Sequence, residues 1–188
     1  MHPRIEEVIN YLDTERSALG EAVETVPPEL RNTQPGVDRW SVAQVLQHLL
    51  IIEKRIGLGM GKWVTDARTS DVGPETETSS VMNSLPLQII TDRSQRRNAP
   101  EEVRPPGDID AESAWIALEQ SRASLRSAFL AGDGLALSQV IQPHPALGPI
   151  NLYQWMLFVG SHEIRHTAQV IEIAEQLSAG SSTAATSA

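Results

Sequence analysis

At 188 residues, 40% of them apolar, the chain has the length of one domain and enough apolar side chains to bury a core. It has no cysteine, which excludes disulfides, thiolate nucleophiles and Cys-ligated zinc, so any metal would rest on imidazole, carboxylate or water. The formal net charge of −9 argues against nucleic acid and anionic membranes as partners and leaves a small-molecule substrate open.

Ile5, Val8, Ile9, Leu12, Leu19 and Val23 recur at helical spacing, with Pro3 suited to a first turn and Pro27 and Pro28 as a stop. The opening MHPRIEEVIN is charged and amphipathic, unlike an apolar leader, and no stretch approaches the roughly 20 apolar residues of a transmembrane helix. A soluble, cytoplasmic protein is the expectation. Residues 29–39 read as a connection. A second helix starts at a capping box, Ser41 with Gln44, flanked by Trp40 and Val45 at staple positions; cap and staple account for Trp40 and Ser41 without further chemistry. Val42, Val45, Leu46, Leu49, Ile52 and Ile56 make its buried stripe, and Gly57, Gly59 and Gly61 are expected to weaken it at its end.

Residues from about 64 to 109 read as a long excursion rich in Pro, Thr, Ser, Arg and Glu, with room for one short helix around the apolar patch at 85–90. Asp110 is a good N-cap for a third long helix with the stripe Trp115, Leu118, Leu125 and Phe129, ended by Gly132 and Gly134. A Pro- and Gly-punctuated segment at 143–149 feeds a fourth, capped by Asn151 and Gln154, with Ile150 and Trp155 at the staple positions. It should run to about Leu177, and the low-complexity tail 178–188 is expected to be disordered. Four amphipathic helices, no strand run and no internal repeat predict an all-α fold: one four-helix bundle domain over 1–177 with long crossover connections.

His162 and His166 lie four apart on the fourth helix and, at about 100° per residue, point almost the same way. Trp155, Phe158, Val159, Val170 and Ile173 share that face, so two polar rings face the core and must find partners. One chelated metal would satisfy both; hydrogen bonds elsewhere in the core are the alternative. His48 lies roughly 90° from the centre of the second helix's stripe, at the edge of its buried face, where periodicity does not decide whether it turns inward. Gln44, one turn earlier, could orient His48 or serve only its cap. His144 sits in the Pro-rich loop, within possible reach of the open side of a metal. His2 reads as a terminal residue without a role. Arg93, Arg96, Arg97 and Arg104 form a basic cluster that is either solvated or a seat for an acidic thiol cofactor or substrate. His162-Glu163-Ile164-Arg165-His166 also matches H-E-x-x-H, in which the glutamate of a zincin metalloprotease acts as general base. No histidine follows at metzincin spacing, where Glu172 stands, and no strands are expected beside this helix.

Three blocks resemble segments of the DinB/YfiT-like superfamily in order and spacing. Trp40-Ser41-Val42-Ala43-Gln44-Val45-Leu46-Gln47-His48-Leu49 resembles its W-S-x-x-x-x-x-x-H-L segment. His144-Pro145-Ala146-Leu147-Gly148-Pro149-Ile150-Asn151 resembles its loop before the last helix, and His162-Glu163-Ile164-Arg165-His166-Thr167-Ala168-Gln169-Val170 its H-x-x-x-H-x-x-Q segment. The resemblance covers about residues 1–177 and implies a four-helix bundle holding a divalent metal on His48, His162 and His166. Zinc or nickel stands ahead of iron or manganese, with positions left open on the ion. It further implies either a metal-dependent thiol S-transferase using a low-molecular-weight thiol as cosubstrate, or a hydrolase, acting on a small molecule. A non-catalytic metal-binding or stress-response bundle is the alternative, with the zincin-like protease behind it. A homodimer is expected from the resemblance and from the amphipathic patch at 85–90.

Overall fold

Side-chain caps begin every long helix of the chain, whose computed structural model describes residues 1–94 and 98–185, with side chains described through Ala179. The helices are α1 (Pro3–Glu24), α2 (Val42–Arg68), α3 (Leu87–Thr91), α4 (Ala111–Leu130) and α5 (Leu152–Ala185), and two strands, β1 (Ile141–His144) and β2 (Gly148–Asn151), precede α5. Ser41 and Gln44 form the reciprocal capping box of α2. At α5, Asn151 Oδ1 accepts from Gln154 N at 3.0 Å while Gln154 Oε1 accepts from Asn151 N at 2.9 Å. Asp110 accepts from Ser113 N at 2.7 Å to start α4. Each cap satisfies donors that the first turn would otherwise leave bare. His2, read from sequence as idle, caps α1 by accepting from Arg4 N.

The long helices form the expected bundle, with α1 packed along α5 and α2 along α4, while α2 and α5 meet over a shorter stretch. α2 does not end at its glycines. It runs on to Arg68 because Gly59 lets the Trp63 indole lie on the helix, 2.8 Å from where a Cβ would stand, and Gly57 faces Leu125 of α4. Gly160 on α5 is flatter still against α1: a Cβ there would stand 2.3 Å from the Tyr11 ring. The structure also adds a hairpin to the predicted helices. β1 and β2 pair antiparallel with Pro143 opposite Pro149, and Gly148 takes a positive φ of 74° at the turn. Two facing prolines hide a strand from any reading by alternation, since neither offers an N–H to the ladder. α5 is traced to Ala185, beyond the expected end near Leu177; no proline interrupts it, and 186–188, the rest of the expected tail, lie outside the described residues.

The long excursion is fastened rather than loose. The covered carboxylate of Glu75 accepts from Tyr153 Oη at 3.0 Å and from Arg4 at 3.3 Å, and the backbone N–H of Glu75 donates to Gly134 O. Leu85 and Ile90 of the apolar patch are buried in the chain's own core, while Ile89 stays 52% exposed. The core falls into two apolar layers. One gathers Leu12, Ile56, Leu125 and Leu157 with their neighbours; the other gathers Leu19, Leu49, Leu118 and Val170. No described helix is long and apolar enough to cross a membrane.

Candidate metal centre

The box at Ser41 starts α2 so that His48, two turns on, is buried at 4% exposure; His166 on α5 is buried at 5%, and His162, one turn before it, is half-buried. The inward turn of His48, which periodicity left open, is therefore made. One ring nitrogen from each of the three histidines lies within 4.8 Å of the others, and no other such group of three or more His, Asp or Glu occurs among the described residues. Ring centroids are 4.5 Å apart for His162 and His166, 4.9 Å for His48 and His166, and 5.2 Å for His48 and His162.

Hydrogen bonds on the far side of two rings fix which nitrogen faces the others. The Val103 carbonyl can only accept, so His48 Nδ1, at 2.7 Å from it, carries the proton and Nε2 keeps its lone pair. Gln169 Oε1 accepts from His166 Nδ1 at 2.8 Å with the same result. His166 Nε2 then stands 3.1 Å from His162 Nε2. Two imidazole nitrogens at that distance share either one proton or one cation. Orientation of a ring by a carbonyl or amide behind it is the usual support of a metal-ligating histidine, and the donor set fits a divalent ion.

Electrostatics keep the group neutral. Burial pushes the pKa of His162 down to about 3, with His48, Arg165 and His144 adding to the effect. His166 is held well below the usual histidine range by burial and then by His162 and His48. His48 is lowered by burial, against the opposing hydrogen bond to Val103. Neutral imidazole is the ligating form, so no proton need be removed near pH 7 for a cation to bind.

Aromatic rings flank the three histidines. Trp40 does more than staple a helix: its ring lies 5.0 Å from that of His48 and nearly parallel to that of His166 at 6.4 Å. Phe158 stacks on His162 at 5.4 Å. His144 is one ring further out, 4.3 Å from Phe158, and its Nδ1 accepts from the N–H groups of Ala146 and Leu147; it folds the hairpin turn and is not one of the gathered group. Gln44 serves the cap and accepts from Gln34 rather than touching His48. In the basic cluster, Arg93 pairs with Glu172 of α5 at 2.5 Å and Arg104 donates to Ala99 O, while Arg96 and Arg97 lie outside the described residues.

Glu163, the glutamate of the H-E-x-x-H match, is turned away into a buried ion quartet. Arg16 of α1 reaches Glu163 at 2.6 Å and Glu53 of α2 at 3.0 Å; Arg122 of α4 reaches Glu53 at 2.7 Å and Glu163 at 2.8 Å. All four are at least nine-tenths buried. Burial alone would lower the pKa of Arg122, but the carboxylates of Glu163 and Glu53 outweigh it and raise it. The zincin reading fails on two counts: its general base is committed elsewhere, and the one sheet among the described residues is a two-stranded hairpin. Sequence analysis missed the quartet, although its signal was present: Arg16, Glu53 and Arg122 interrupt apolar stripes at core register, with two charges of each sign over four helices. Val103 gave no signal, because it contributes a backbone carbonyl.

Comparison with known proteins bears on the same residues. The chain is 29% identical over 150 residues, 79% of its length and 86% of the relative's, to the "Uncharacterized protein YuaE" of Bacillus subtilis (strain 168). No solved structure matches it significantly. The family model of the DinB superfamily matches residues 11–170, a span that runs from Tyr11 on α1 through all three histidines to Val170 on α5. Together with the bundle and the histidine group, that match settles the family: the chain is a member of the DinB superfamily.

Proposed function

We propose that His48, His162 and His166 hold one divalent metal and that the protein is a metal-dependent enzyme acting on a small molecule, with transfer of a low-molecular-weight thiol as the leading reaction. The observation that carries this reading is the pair of hydrogen bonds that His48 Nδ1 donates to Val103 O and His166 Nδ1 to Gln169 Oε1, which leave the Nε2 lone pairs of both rings directed at the group. Three neutral ligands leave positions open on the ion, the mark of a catalytic rather than a structural site. Zinc or nickel suits this donor set ahead of iron or manganese, and such an ion supplies acidity that lowers the pKa of a thiol or a water. Trp40 and Phe158 exclude water from two sides of the rings, and half-buried His162 marks the accessible side. With no cysteine in the chain, the thiol must arrive as a cosubstrate. Commitment of Glu163 to Arg16 and Arg122 favours thiol transfer over hydrolysis, because water attack gains most from a carboxylate base beside the ion.

The test is consumption of a small thiol with a chromogenic electrophile such as 1-chloro-2,4-dinitrobenzene, by zinc- or nickel-loaded protein, with and without chelator and in His48→Ala. Rates that need both the metal and His48 support the reading; a rate indifferent to chelator overturns it. Burial of His48 and His166 favours the second reading, a non-catalytic metal-binding protein of stress response. Stoichiometric metal uptake without turnover of any thiol or ester would select it. A homodimer belongs to the same proposal, from the family resemblance and from the patch at 85–90, where Ile89 stays exposed; a light-scattering mass of one chain at micromolar concentration would remove it.

A further inference from the structure

Arg16, Glu53, Arg122 and Glu163 come one from each long helix and lie between the two apolar layers of the core. We propose that this quartet sets the separation and rotation of α2 against α5 at the metal centre, which makes its four side chains positioning residues for His48, His162 and His166. The inference rests on the reading that these histidines hold a metal.

The ligands arrive on two helices whose main packing partners are not each other: α2 lies chiefly along α4, and α5 along α1. α2 and α5 also touch through apolar side chains, with Trp63 5.1 Å from Trp155, but their charged tie runs through the two arginines, each touching both Glu53 and Glu163. Glu163 follows His162 directly, and Glu53 lies five residues after His48, about 1.5 Å and 7.5 Å along the helix axes. A slide or roll at the carboxylates is therefore carried to the ligands almost undiminished. Apolar layers tolerate small slides with repacking, whereas the planar fork of Arg16, hydrogen-bonded to both Glu163 and Glu53, accepts few geometries. Further bonds lock each fork to the neighbouring backbone: Arg16 donates to Leu118 O at 3.2 Å, and Arg122 to Leu12 O at 3.0 Å. Metal–imidazole bonds tolerate errors of only about 0.2 Å. A buried ion group gains little stability over an apolar filling of equal volume, so its contribution lies in geometry.

The experiment compares wild type with two variants of the full chain. In Arg16→Met/Glu53→Leu/Arg122→Met/Glu163→Leu the quartet becomes apolar; in Arg16→Lys/Arg122→Lys the charges stay and the forks are lost. Zinc affinity is read by competition with a chromophoric chelator, and the midpoint of thermal unfolding is read on metal-free protein. The expected result is an apolar variant that melts at or above the wild-type midpoint yet binds zinc at least 10-fold more weakly, with the lysine variant also weakened severalfold. Wild-type affinity in the folded apolar variant overturns the proposal. Should that variant not fold, wild-type affinity in the lysine variant does so, and weakened binding there supports it. Failure of the wild type to take up zinc, nickel, iron or manganese overturns the metal reading itself, a separate outcome.

Discussion

Behind the ring of His166, Nδ1 donates to Gln169 Oε1 and fixes the orientation of the imidazole. Gln169→Leu should keep the fold and weaken zinc binding about 10- to 100-fold, the usual loss when the partner behind a ligating histidine is removed. Competition with a chromophoric chelator reads this, and unchanged affinity would show that Gln169 does not orient the ligand. Acid should weaken the metal-free protein through the same rings. Folded His162 titrates near 3, and burial also holds His48 and His166 low. The unfolded chain carries ordinary imidazoles near about 6.5, so below that pH the unfolded state binds more protons. These groups leave stability unaffected above about pH 6.5, and it falls as pH drops toward the folded values, by up to about 1.4 kcal/mol per pH unit for each imidazole. Urea melts of chelator-treated protein between pH 7.5 and 5.5 measure the slope, which should be shallower in His162→Ala; equal slopes would contradict the assignment. The paired histidines were legible because helical spacing is a property of the sequence. The inward turn of His48 was not, since it depends on a carbonyl 55 positions away in the short helical turn at Glu101–Val103.

Helix contacts at glycine make opposite predictions for one substitution. In Gly160→Ala the new methyl would collide with the Tyr11 ring where α1 crosses α5, and the expected cost is about 1–3 kcal/mol. Gly61→Ala meets only the Ala128 Cβ at 3.9 Å and should stabilise α2 by about 0.5–1 kcal/mol through propensity. Denaturant unfolding distinguishes them, and equal effects would mean that the α1–α5 contact is looser than described. The starts of α2, α4 and α5 could be read from Ser41, Asp110 and Asn151 because a cap acts within a few residues of itself. The end of α2 could not: glycine weakens an isolated helix, but Gly57 and Gly59 are positions where Leu125 and Trp63 come close, a relation between elements. The β1–β2 hairpin escaped for the same kind of reason, with Pro143 set against Pro149.

Across the whole molecule, the four-helix class followed from stripe periodicity, whereas the ion quartet required knowing which stripes face one another. Removing one member should be far worse than removing all four. Arg122→Met leaves Glu53 and Glu163 short of a counter-charge, and the expected loss is about 3–5 kcal/mol in urea unfolding at pH 7. A loss below about 1 kcal/mol would indicate that water already solvates the carboxylates. The quartet also bears on how the protein opens. No long helix can detach without stranding a charge in the interior, because each supplies one of the four buried charges. Partial opening of a single helix is thereby penalised, and the bundle should behave as one cooperative unit. In native-state hydrogen exchange, the amides around Leu12, Ile56, Leu125 and Val159 should share a single opening free energy equal to that of global unfolding, whereas the outer turns of the same helices exchange by fraying.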